Sequence, residues 1–74
     1  MTRENFERVW RAFLQKQPFL PFTLELSNGS RLEINHPEAL RQQGDLLVYR
    51  STTGIQSVFE CDSVVRFVEA TGTV

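Results

Sequence analysis

With 74 residues the chain is one domain with room for a single core, burying roughly 60% of its unfolded surface. Its 41% hydrophobic and 23% charged residues are those of a globular domain, and a net charge of -1 supplies no bulk field for nucleic acid. No run approaches the roughly 20 apolar residues of a membrane span, and a single cysteine (Cys61) and a single histidine (His36) exclude an intramolecular disulfide and a zinc-type ligand set.

A core this small commonly leans on disulfides, metals or oligomerisation, so self-association is the support left open. The N-terminal "MTRENFERVW" leads into no cleavable apolar stretch, which places the chain in the cytoplasm as an expectation.

An amphipathic helix is expected over residues 2–17, because Phe6, Val9, Trp10, Phe13 and Leu14 recur at the spacing of one helix face. Thr2 suits the N-cap, and Glu4 with Arg8 and Glu7 with Arg11 form i,i+4 pairs with the acid toward the N-terminus. Pro18 and Pro21 forbid continuation, so "QPFLPF" reads as an extended connector whose Phe19 and Leu20 pack under the helix end.

Five short strands with brief turns are expected over residues 22–69. In the first hairpin, a two-residue Asn28-Gly29 turn would set polar residues against apolar ones on each face. A three-residue loop of Ser27, Asn28 and left-handed Gly29 instead pairs Phe22 with Ile34, Leu24 with Leu32 and Glu25 with Arg31, and this register is predicted. "HPEALRQQG" then reads as a helical turn near residues 37–43, opened by Pro37 and closed by Gly44. "DLLVYR" and "IQSVFE" form a second hairpin across a four-residue loop, Ser51 to Gly54, placing Leu46 by Phe59 and Leu47 by Val58. "SVVRFVE" supplies the fifth strand, and the tail from Ala70 is expected to fray.

The order of elements predicts an α+β unit: an N-terminal helix packed on a five-stranded, strongly bent antiparallel sheet or small SH3-like barrel. Strands three to five are apolar on both faces, so both faces need cover, the helix supplying one and a second subunit the other.

Two resemblances accompany this reading. Pro18-Phe19-Leu20-Pro21-Phe22-Thr23-Leu24-x-Leu26-x-x-Gly29, followed by His36-Pro37-Glu38, resembles a group of short uncharacterised bacterial proteins; this implies a bacterial origin and a shared fold but brings no catalytic residue. The order of a helix then strands, with "FTLELSNGS" and "VFECDSVVRFVEA", is similar to Sm-like RNA-binding proteins. Here "NHPEALRQQGD" interrupts the bent strands of that family and Cys61 stands where glycine is usual, so no RNA-binding residue carries over.

Chemistry has few footholds. His36 and Glu38 are the candidates for a general base or half a metal site, but no nucleophile, oxyanion donor or further ligand accompanies them, and a structural role near a turn is expected. Cys61 reads as a small buried filler, with Asp62 and Ser63 turning the chain. Trp10 belongs to a helical core stripe that can be shared with an interface, and Tyr49, Val65 and Phe67 complete the expected interface set. Arg31, Arg41, Arg50 and Arg66 form a nucleic-acid groove only if folding gathers them.

The resulting expectation is a non-enzymatic protein-interaction or self-assembly module, homo-oligomeric or bound to another protein, without cofactor, catalytic or metal residues. An Sm-like or SH3-like nucleic-acid-binding domain is the alternative. An enzyme with a site near His36 at a subunit boundary is the second.

Overall fold

A computed structural model describes residues 1–69, and the expected fraying from Ala70 lies outside the described residues. Helix α1 spans Arg3–Leu14, shorter than the expected residues 2–17. Thr2 is its N-cap, the hydroxyl accepting from the Asn5 N–H at 3.1 Å. Phe6, Trp10 and Phe13 make the buried stripe, whereas Leu14 stands exposed at the helix end. The expected pairs of Glu4 with Arg8 and Glu7 with Arg11 do not form. The Glu7 carboxylate turns instead to Arg3, at 3.0 Å, and to Gln42 of the sheet, at 2.6 Å.

The fold is α+β, with six strands among the described residues where five were expected: β1 (Phe22–Leu26), β2 (Arg31–Ile34), β3 (Leu40–Gln43), β4 (Leu46–Arg50), β5 (Gln56–Glu60) and β6 (Val64–Glu69). They do not make one five-stranded sheet or a closed barrel. They form two three-stranded antiparallel sheets, ordered β2-β1-β6 and β3-β4-β5. The unexpected strand is β3, which takes most of the segment read as a helical turn. Only Pro37–Ala39 is helical, a single 3-10 turn, after which Leu40–Gln43 extends alongside β4. A second 3-10 turn, Cys61–Ser63, carries the chain from the second sheet back to the first.

The first hairpin has the register that face matching requires: Phe22 opposite Ile34, Leu24 opposite Leu32, Glu25 opposite Arg31. Its loop closes by Leu26 N–H to Ser30 C=O at 2.9 Å and Gly29 N–H to Leu26 C=O at 3.0 Å, with Gly29 at φ +90°.

The second hairpin repeats this device and corrects the expected pairing. Ser51 N–H donates to Ile55 C=O at 2.8 Å and Gly54 N–H to Ser51 C=O at 3.0 Å, with Gly54 at φ +93°. The loop is therefore Thr52, Thr53 and Gly54, one residue shorter than expected. Leu47 consequently meets Phe59, and Val48 meets Val58. Because side chains alternate along a strand, that slip sends Leu47 and Phe59 inward together and Val48 and Val58 outward together.

Side chains from α1 and both sheets meet in one core that includes Phe6, Leu24, Ile34, Leu40, Leu47 and Val64. Phe22 is its aromatic centre, with ring centroids at 4.6 Å from Phe13, 5.2 Å from Phe67, 5.8 Å from Trp10 and 6.1 Å from Phe19. Connector residue Phe19 thus packs as expected, while Leu20 is exposed. In β6, Leu26 pairs with Val64 but Glu25 with Arg66, so Val65 is an extra residue in a β-bulge. The bulge lets Val64 and Phe67 both face inward and leaves Val65 exposed.

Alanine at Gly29 or at Gly54 meets no steric obstacle within 4 Å, so its cost comes from the left-handed backbone alone. Urea unfolding of each variant is expected to show a loss of about 1–2 kcal/mol.

Candidate functional site

The outer faces of the two sheets differ in kind. On the first, the Glu25 carboxylate holds Arg31 at 2.6 Å and Arg66 at 3.1 Å, so both arginines of this polar face are ion-paired. On the second, β3, β4 and β5 present Arg41 beside Val48 beside Val58 across the strands, with Leu46 and Arg50 at the flanking positions of β4. Val58 is 60% exposed and Leu46 is also exposed. Neither Arg41 nor Arg50 makes an ion pair among the described residues.

Pairing of β3 with β4 builds a concavity on this face. It has a volume of about 570 Å³ and is lined by Pro37, Glu38, Ala39, Arg41, Val48, Arg50 and Gln56. The turn Pro37–Ala39 forms one wall, Val48 contributes apolar surface, and the two arginines bring cationic ends to its lining. This size falls within the roughly 300–1,000 Å³ of ligand sites, but the depression opens to solvent on a sheet face. An extended segment carrying carboxylates and aliphatic side chains matches such a surface better than a compact ligand needing enclosure.

The residues singled out from sequence scatter over the molecule. His36 is exposed, stands as N-cap of the Pro37–Ala39 turn without a side-chain capping bond, and does not line the concavity. Glu38 does line it, so the pair His36 and Glu38 is divided. Trp10 is 7% exposed and belongs to the core, and Phe67 stacks on Phe22 inside the aromatic cluster. Tyr49 lies half-buried on the inner face of the second sheet, its hydroxyl donating to the Glu33 carbonyl at 3.2 Å. Val65 alone of that set is exposed. Folding thus brings together Arg41 and Arg50 from the four arginines, and joins Val48, Val58 and Leu46 to them. Apolar residues stand at successive positions in both "LLVYR" and "QSVFE", so the residue pattern did not decide which of them face outward.

Cys61 is buried, as expected. Its N–H donates to the Asp45 carbonyl at 2.9 Å, fastening the second 3-10 turn to the β3–β4 turn. Burial pushes the thiol pKa up, and the charges of Asp45 and Glu7 push the same way. No group of histidine, cysteine and carboxylate side chains capable of holding a metal ion occurs among the described residues. Among them, no helix is long and apolar enough to cross a membrane.

No family model, curated protein or solved structure matches the chain.

Hydrogen bonds from Arg3 and then Gln42 hold the Glu7 carboxyl below the usual carboxylate range. The folded pKa lies below the unfolded one, so this contribution is present above the unfolded value of about 4.3 and lost as pH falls through the folded value. Acid titration of stability is expected to show a shallower decline in Glu7→Gln than in the parent chain. For Cys61, labelling by a thiol reagent at neutral pH is expected to follow the unfolding rate; fast labelling of the folded chain would contradict its burial.

Proposed function

We propose that the chain is a protein-interaction and self-assembly module whose working surface is the outer face of β3-β4-β5, and that this face receives an extended, acidic and partly aliphatic segment of a protein partner. The observation that carries the reading is the contrast between the two outer faces. One is polar with its arginines tied to Glu25, and the other is aliphatic with Arg41 and Arg50 unpaired among the described residues.

The physical basis is complementarity. Guanidinium groups beside apolar surface suit carboxylates on a strand-like peptide, whose alternate side chains reach one face while charges set orientation and register. Glu38 in the same lining adds a negative point that disfavours uniformly anionic ligands. A nucleic-acid groove loses Arg31 and Arg66 to Glu25, so the four scattered arginines do not act together.

The test is a titration of the isotope-labelled chain with a peptide alternating glutamate and valine, read by amide chemical shifts. Shifts are expected along β3, β4 and β5, and the Arg41→Glu/Arg50→Glu variant is expected to bind at least about tenfold more weakly, about 1.4 kcal/mol. Equal binding by that variant would overturn the reading. Tighter binding of single-stranded RNA, weakening steeply with salt, would transfer the surface to nucleic acid.

A further inference from the structure

Two three-stranded sheets have four edge strands, β2, β6, β3 and β5, and three of them carry a feature that limits further pairing. On β2, the Glu33 carbonyl is already occupied by the Tyr49 hydroxyl. On β6, the bulge at Val65 interrupts the regular strand. Strand β3 is short and follows directly on the Pro37–Ala39 turn. Strand β5 has none of these protections: it runs unbroken over Gln56–Glu60, contains no proline or glycine, and among the described residues pairs on one side only.

Its hydrogen-bonding phase follows from its two ends. Ser51 N–H donates to Ile55 C=O, and Cys61 N–H donates to Asp45 C=O. Alternation in an antiparallel ladder then directs the backbone groups of Ser57 and Phe59 to β4 and those of Gln56, Val58 and Glu60 to the open edge.

We propose that a second copy of this chain docks there, β5 against β5, antiparallel about a two-fold axis at Val58. This names the surface for the self-assembly part of the function proposed above and rests on that part. In this register every outward N–H and C=O of Gln56, Val58 and Glu60 meets a partner, and the two β3-β4-β5 sheets become one continuous sheet. Val58 faces Val58 of the second copy, extending the lane of Arg41, Val48 and Val58 into an aliphatic stripe with an arginine at each end.

Charge fits the same register. Gln56 faces Glu60 of the second copy, and Arg50 lies directly across from Gln56 in its own sheet. Arg50 and that Glu60 are therefore two strand spacings apart, about 10 Å between backbones, within reach of the two side chains. Both groups are without an ion pair among the described residues. The pairing supplies each with an opposite charge, twice by symmetry. A one-residue slip would abolish both matches and turn the outward hydrogen-bonding groups out of phase.

Sedimentation equilibrium of the full chain over a wide concentration range, with amide exchange at both extremes, tests the pairing. A dimer is expected, with protection of the Gln56, Val58 and Glu60 amides appearing only when it forms. Glu60→Arg is expected to weaken association roughly tenfold or more, as is Arg50→Glu, and the double variant is expected to recover it. Val58→Pro removes the central outward donor without removing a bond to β4, and its thermal unfolding separates lost association from lost folding. A monomer at all concentrations, or a dimer whose β5 amides gain no protection, overturns this pairing while leaving peptide binding by the outer face to its own titration. Failure of the double variant to recover, with each single variant folded, overturns the proposed register.

Discussion

Phe22 is the residue on which the arrangement depends. As the first residue of β1 it follows the Pro18–Pro21 connector, and its ring touches rings from the helix, the connector and β6. Aromatic pairs add to the area they bury when their rings meet tilted or edge-on, which is how Phe13 and Trp10 approach it, while Phe67 stacks on it. The cluster commits the helix's aromatic stripe to the core. It also accounts for the burial of Trp10 and Phe67, two residues whose aromatic character would otherwise suit a partner.

That commitment determines which surface is left. Both inner faces supply the common core, which leaves the outer faces and the open strand edges to serve another molecule. Glu25 occupies two arginines on one of the outer faces, and among the described residues nothing comparable occupies Arg41 and Arg50 on the other. The aliphatic residues between these arginines owe their outward direction to backbone geometry. The Thr52-Thr53-Gly54 loop is one residue shorter than the four-residue loop expected, and one residue is enough to exchange the faces of a strand. A glycine able to hold φ near +93° thus decides which valines face solvent.

The two hairpins show where sequence reasoning succeeds and where it stops. Around Asn28-Gly29 the residues alternate between apolar and charged, so a wrong register sets unlike residues opposite each other. Across Ser51–Gly54 each strand has apolar residues at successive positions, Leu46 to Tyr49 and Val58 to Phe59, so Leu47 finds an apolar partner in either register and the pattern does not discriminate. Strand β3 was hidden for a related reason. Arg41, Gln42 and Gln43 carry no apolar alternation, and the proline and glycine on either side resemble helix start and stop signals. Its extended form depends on the ladder with β4.

The chain by itself determined its helix and cap, the packing of Phe19 after the helix, the first hairpin with its left-handed glycine, and the burial of Cys61, because each follows from local periodicity, backbone chirality or residue size. Tertiary structure decided the division into two sheets, the register of the second hairpin and the meeting of Arg41, Arg50, Val48 and Val58 on one open face. These depend on which backbone groups find partners across the fold, a choice that the residue pattern leaves open wherever adjacent side chains are alike.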